Sequence, residues 1–408
     1  MARAAQRARP RVAGAGCDRI RAAKKPIIIA RGGLIYSDAT DQLHRLVERT
    51  GIPVGETQAG KGSLAFDHPR CLGAIGASGS RFANELACAC DLVLGIGTRY
   101  TDFTIASHTL FASEEVTSVN INTAELDALK NGAIALIGDA RETLTLLDAE
   151  LAGWQVDSEY QSAGEAAAPR WREEVQRSIA PTGNGVPSQA QVIGRVNAAA
   201  DGSDVVVCAA GSMPGDLHRL WRTRDRKGYQ VEYGYSCMGY EIAGALGAKL
   251  ADPSREVFTM VGDGSWLMMS QEILTSIQER LKLIGVLVDN HGYGSIAALS
   301  ESLGSQGFGT RFRFRAEEGE LSGDELPIDL VASARALGAE VLPVSSAGEL
   351  DEALQRAKDN QRTTVISVEV DPRGTFGGSG AWWDVPVSEV STIESTLRGQ
   401  RHYLTTAS

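Results

Sequence analysis

Residues 256–294 read EVFTMVGDGSWLMMSQEILTSIQERLKLIGVLVDNHGYG, and the fold follows from this stretch. Val257 to Val261 is an apolar run closed by Gly262-Asp263-Gly264, which predicts a buried strand and a tight turn. An amphipathic helix is expected from Ser265, then a second strand from Ile284 to Val288 with Asp289-Asn290 at its carboxyl end. Asp263 and Asn290 would then end two neighbouring parallel strands. In an open α/β sheet the crevice outside those ends receives ligands, and helix N–H groups pointing there attract anions. A diphosphate suits such a place, with magnesium, which prefers hard oxygen ligands, few of them from protein. Asp263, the amide oxygen of Asn290 and a backbone carbonyl near Gly292 are the candidate metal ligands. Gly262 and Gly264 are expected to let the backbone turn sharply and approach the anion. Asp-Gly after a strand is also a common plain turn. The strand before it, the helix after it and the second strand ending in Asp-Asn favour the site.

Outward from this stretch, strands alternate with helices along most of the chain. Upstream, KKPIIIA, GIPVGET, CDLVLGI and VTSVNINT read as strands, with helices over Ala39 to Thr50 and Ala140 to Leu151. Nearer the central stretch come the helix VPSQAQVIGRVNAAA, the strand DVVVCAA, a charged loop from Arg222 to Gly228, and a small-residue helix after YGYSCMGY. Downstream lie EVLPVS, the helix SAGELDEALQRAKD and the strand TTVISVEVD. This alternation predicts an α/β protein of two doubly wound parallel-sheet domains. The expected bounds are a basic, disordered segment over 1–24, a first domain over 25–152, and a linker with a short helix near Trp171 over 153–188. A second domain over 189–390, carrying the diphosphate site, and a tail over 391–408 complete the expectation. Gly95-Ile96-Gly97 is read as a glycine turn at a strand exit, because no G-x-G-x-x-G opens a helix there.

The composition, 43% hydrophobic and 22% charged over 408 residues, is that of an ordinary globular α/β chain. A net charge of -11 argues against nucleic acid or an anionic membrane as the main partner. No stretch approaches the roughly 20 apolar residues of a membrane span. The six cysteines, Cys17, Cys71, Cys88, Cys90, Cys208 and Cys237, lack paired zinc spacing. A reducing cytoplasm is therefore expected, with Cys88 and Cys90 as buried structural thiols.

Three further stretches bear on the site. Ala210-Gly211-Ser212-Met213 follows a strand and could offer N–H groups to the same diphosphate. Met238 lies just before a small-residue helix. His291 follows Asn290 directly, and its neighbours in HGYGSI are expected at the mouth of the site. It is the candidate for proton transfer near neutral pH, ahead of His68 and His218.

GDG, about two dozen residues and then Asn after an apolar strand resembles the thiamine-diphosphate signature of the acetolactate synthase and pyruvate decarboxylase superfamily. Longer segments, among them NHGYGSIAALSESLGSQGFGTRFRFR, EYGYSCMGYEIAGALG and QAGKGSLAFDHPRCLGAIGASGS, resemble within it the trihydroxycyclohexane-1,2-dione hydrolases of inositol breakdown. The resemblance implies thiamine diphosphate and Mg2+ as cofactors, and hydrolytic opening of a cyclic diketone to 5-deoxyglucuronate as activity. It implies that Gly211, Ser212, Met213, Met238, Gly262, Asp263, Gly264, Ser265 and Asn290 touch the cofactor, with Asp263, Asn290 and Gly292 on the metal and Met238 wedged between the cofactor rings. Ser302, Ser305, Gln306, Thr310, Arg311 and Arg313 offer polar groups for a polyhydroxylated substrate.

Superfamily members also carry a pyrimidine-binding domain, whose glutamate has no counterpart among residues 1 to 25. A homo-oligomer, or a partner chain carrying that domain, is therefore expected for full activity, the chain being read as truncated or split. Two alternatives remain open: a non-catalytic cofactor-binding or assembly subunit, and a lyase or carboligase acting on another 2-oxo compound.

Overall fold

A computed structural model of the chain describes residues 6–113, 115–181, 185–371 and 378–406. They form two compact units. One holds the described residues up to Ser178 with His218–Tyr229 and residues 378–383, and the other holds the remainder.

The first unit is built on β1 (Pro26–Ala30), β2 (Val54–Glu56), β3 (Cys71–Ala74), β4 (Leu92–Ile96), β5 (Thr117–Asn122) and β6 (Ile134–Ile137), in the order β3-β2-β1-β4-β5-β6. Every neighbouring pair is parallel. The central strands PIIIA and LVLGI are buried at each position, as a sheet covered on both faces requires. Gly97 has φ 63, and a Cβ built on Gly33 would stand 2.6 Å from the Gly97 Cα. The glycine after β4 thus serves a turn packed backbone to backbone, in keeping with the structural reading.

The second unit is built on β7 (Val205–Cys208), β8 (Tyr229–Val231), β9 (Val257–Gly262), β10 (Ile284–Asp289), β11 (Glu340–Val344) and β12 (Thr364–Glu369), in the order β11-β12-β10-β9-β7-β8. The pairs β7·β9, β9·β10, β10·β12 and β11·β12 are parallel. From β7 the chain winds one way to β8 and the other way to β9. The crevice of this sheet therefore opens at the carboxyl ends of β7 and β9.

Four expectations need correction, and the tail gains a helix. Residues 10–22 are not disordered: Pro10–Ala22 is a helix whose Ala13, Gly16, Cys17 and Ile20 form one buried stripe. Its arginines occupy the other face, so basic composition hid an amphipathic element. The linker's short helix is a helix of 22 residues, Ser158–Ile179, which buries Ala167, Ala168, Trp171 and Val175 on one side. The tail contains the helix Glu394–Thr406. The helix expected from Ser265 begins at Asp263, ends at Met268 and resumes as Glu272–Gln278. Cys88 is exposed, because the helix Arg81–Cys88 turns Ala83, Asn84 and Ala87 inward; Cys90 is buried. Among the described residues, no helix is long and apolar enough to cross a membrane.

Candidate functional site

β9 and β10 run side by side with Gly262 opposite Val288, so Asp263 and Asn290 leave adjacent strand ends as the sequence predicts. The Asp263 side chain is buried, and three backbone amides converge on it. Gly264 N–H donates to Oδ1 at 2.6 Å, while the N–H groups of Asn290 and Gly292 donate to Oδ2 at 3.1 and 2.9 Å. Burial, and next the neighbouring Asp289 carboxyl, push its pKa up to about 7 in spite of these donors. A cation placed there would offset the buried charge. Beside it, Oδ1 of Asn290 is buried and accepts no hydrogen bond among the described residues. A carboxylate and a free amide oxygen at adjoining strand ends are hard donors of the kind Mg2+ takes. The residues present therefore fit a magnesium-bound diphosphate.

Each glycine has its own reason. Gly262 is not in a left-handed turn, since its φ is -78, but a Cβ on it would meet nothing within 4 Å and would project into open space. Gly264 is needed for room: a Cβ there would stand 2.8 Å from the Tyr293 ring and 3.2 Å from Met238 Cε. The expected sharp turn is thus corrected to a close approach. At Gly292 a Cβ would lie 2.3 Å from the Thr310 carbonyl oxygen, so only glycine lets the chain pass.

A single cleft in the second unit is lined by Gly211, Ser212, Met213, Met238, Gly262, Asp263, Gly264, Ser265, Asn290 and Gly292. Gly211, with φ 85, turns the chain out of β7 into the helix Ser212–Leu220. Met238 precedes Gly239, which opens the helix Tyr240–Ala251 with φ 94. The buried Glu241 carboxylate accepts the Gly239 N–H at 2.8 Å. Burial raises the Glu241 pKa, opposed by hydrogen bonds that include one from the Ser265 side chain. Glu241 thereby ties the Met238 loop to the GDG turn.

His291 lies elsewhere. Its backbone is left-handed with φ 60, its Nε2 meets Glu369 Oε1 at 3.1 Å and its Nδ1 lies 3.5 Å from Asp289 Oδ1. Desolvation lowers its pKa, but the carboxylates around it prevail and raise it. The ring is held by these carboxylates and is not among the residues that line the cleft. Its neighbours Tyr293, Gly294, Ser295 and Ile296 do line it.

His218 is buried in the first unit, with Nε2 2.7 Å from the Glu56 carbonyl oxygen and Nδ1 3.2 Å from Ser78 Oγ. Burial brings its pKa down to about 3. In the polar loop, Thr310 Oγ1 donates to the Gly307 carbonyl, Arg313 contacts Glu325, and neither lines the cleft. Two contributors escape the sequence reading. Gln189 lines the cleft and donates to Ser212 Oγ and Asp216, at the start of a helix whose Ser188-x-x-Gln191 capping box is visible in sequence. Glu241 leaves no local signal.

Comparison with known proteins agrees with this geometry. Residues 15–147 match the model of the thiamine pyrophosphate enzyme central domain, and residues 209–368 that of the C-terminal TPP binding domain. A 3D-(3,5/4)-trihydroxycyclohexane-1,2-dione hydrolase 2 of Bacillus cereus is 44% identical over 401 residues, 92% of this chain and 62% of that protein. The 3D-(3,5/4)-trihydroxycyclohexane-1,2-dione hydrolase of Bacillus thuringiensis (strain Al Hakam) is 43% identical over 397 residues, 91% of this chain and 62% of that protein. The one of Bacillus anthracis is 43% identical over 401 residues, with shares of 92% and 62%. The chain thus spans about 62% of the length of these relatives.

Proposed function

We propose, for a chain that belongs to the thiamine pyrophosphate enzymes through both of its domains, that it works in the hydrolytic ring opening of 3D-(3,5/4)-trihydroxycyclohexane-1,2-dione to 5-deoxy-D-glucuronate, a step of inositol catabolism. The observation that carries the site is the buried Asp263 carboxylate beside the unpaired Asn290 amide oxygen at adjoining strand ends. The substrate assignment rests on similarity to the dione hydrolases along 92% of the chain.

Bound thiamine diphosphate supplies a nucleophilic carbon and an electron sink for breaking a carbon–carbon bond next to a carbonyl. The chain's own residues bind and orient. Asp263, Asn290 Oδ1 and the Gly292 carbonyl would hold Mg2+, with Asp263 in its ionised form. Backbone N–H groups at Gly211, Ser212 and Met213, which line the cleft, would bind the diphosphate, and Gly262 would leave space for it. Met238, packed near Gly264, would contact the cofactor, and its loop is fixed by the Glu241–Gly239 hydrogen bond. Tyr293 lines the same cleft, its ring edge to face with Phe312. A homo-oligomer, or a partner chain with a pyrimidine-binding domain, belongs to this reading. Leu267, Met268 and Met269, each about half exposed, and Ile296 at 57% leave apolar groups at and beyond the cleft for such a partner to cover.

The test is incubation of the chain with cofactor, Mg2+ and the cyclic dione, alone and with a pyrimidine-domain chain, with products identified by NMR. Formation of the ring-opened acid, abolished by Asp263→Ala, is the expected result. A carboligation or decarboxylation product would replace the hydrolase reading by a lyase one. Cofactor binding without turnover under both conditions would replace it by a non-catalytic subunit.

A further inference from the structure

We propose that the first unit carries a transition-metal site of its own, formed by His44, Glu48 and His68. His44 and Glu48 stand one turn apart on the helix Thr40–Thr50, so their side chains share a face. His68 reaches them from the loop before β3. Its ring is buried, 8% exposed as a residue, and Nε2 lies 2.8 Å from Glu48 Oε1. That approach is off the ring N–H direction, and Nε2 makes no hydrogen bond among the described residues. The His44 and His68 rings meet edge to face with centroids 5.2 Å apart. One donor atom from each of the three residues lies within 4.8 Å of the others.

Zinc bonds of about 2.0–2.2 Å in tetrahedral geometry put donors about 3.3–3.5 Å apart. The exposed His44 side chain closes that gap by swinging inward on the order of an ångström, while His68 and Glu48 part slightly. Two imidazoles and one carboxylate suit Zn2+, Co2+ or Ni2+ and not Mg2+, which seeks oxygen alone. Three protein ligands leave a fourth position for water. His44 is exposed and also lines an open cavity of about 420 Å³.

The surroundings set the terms. Burial lowers the His68 pKa, opposed by the Glu48 carboxylate beside it. The Arg70 guanidinium spans two carboxylates, donating to Glu48 Oε1 at 3.5 Å and meeting Glu165 at 3.1 Å, so a metal on Glu48 would take over the contact that Arg70 makes there. The Arg70 N–H donates to His68 Nδ1 at 3.1 Å, and ligation through Nε2 moves the ring proton to Nδ1, so this contact gives way. The ion would clamp the loop before β3 to the helix.

The test titrates Co2+ into the chelator-stripped full chain, with thiamine diphosphate and Mg2+ saturating, and reads the visible d–d absorption of a low-coordinate site. One Co2+ per chain, displaced by Zn2+, is expected. Affinity should fall at least tenfold in His44→Gln, whose exposed position spares folding, and should be unchanged in His291→Ala, which removes a half-exposed histidine of the second unit. Absence of the absorption, equal affinity in His44→Gln, or loss in His291→Ala would each overturn the proposal.

Discussion

Replacing Asp263 by alanine removes the acceptor from three backbone N–H groups, those of Gly264, Asn290 and Gly292, and also removes a carboxyl whose ionisation burial opposes. The two effects differ in sign and in pH dependence. An unsatisfied buried donor costs about 1–3 kcal/mol, so the buried pair at Gly264 and Gly292 costs roughly 2–6 kcal/mol at any pH, and the half-buried Asn290 donor adds less. The carboxyl ionises near pH about 7 in the folded chain, against an unfolded value of about 3.9. Because the folded value is the higher one, the carboxyl's stabilising contribution is complete below about pH 4 and is lost as pH rises through 7. The whole loss is roughly 4 kcal/mol, of which about 2–3 kcal/mol falls between pH 5 and pH 8. Urea unfolding of the metal-free chain, followed by tryptophan fluorescence, measures it, since Trp266 lies three residues from Asp263 and is 1% exposed. The stability gap between wild type and Asp263→Ala should narrow by about 2–3 kcal/mol from pH 5 to pH 8. Mg2+ with thiamine diphosphate should stabilise the wild type more at the higher pH, where the carboxylate is ionised. Parallel pH profiles for the two proteins would refute the reasoning.

Gly264→Ala should push the Tyr293 ring and Met238 outward, at about 1–3 kcal/mol, and weaken thiamine diphosphate binding about tenfold in a fluorescence titration. His291→Ala should leave that affinity within about threefold, because the ring is occupied by Glu369 and Asp289; a loss beyond tenfold would return it to the site. Ile20→Ala should cost about 2–5 kcal/mol in urea unfolding if the Pro10–Ala22 helix packs as described, and under 1 kcal/mol if that segment is dispensable.

The strands that can be read from the sequence are those buried on both faces, where PIIIA, LVLGI and the runs ending at Gly262 and Asp289 leave continuous apolar signals. The ones that cannot, β3, β6 and β8, are edge strands of three or four residues whose pairing is decided by a neighbour. The Pro10–Ala22 helix is obscured because its buried stripe is made of Ala, Gly, Cys and a single Ile among arginines. In the site, Asp263 and Asn290 are legible because strand ends in a parallel sheet face one crevice. Glu241 is not, since it acts on Ser265 across 24 residues of chain. His291 shows the converse. Adjacency to Asn290 suggests a shared site, but its left-handed backbone and two carboxylates hold the ring outside the cleft.

Whether Asp263 and Asn290 hold the metal of a diphosphate site is tested most directly by calorimetric titration of thiamine diphosphate with Mg2+ into the purified chain and into Asn290→Ala. The expected result is saturable binding to the wild type, abolished by removing Mg2+ and at least tenfold weaker in the variant. Equal affinity in the two proteins, or binding indifferent to Mg2+, would contradict it.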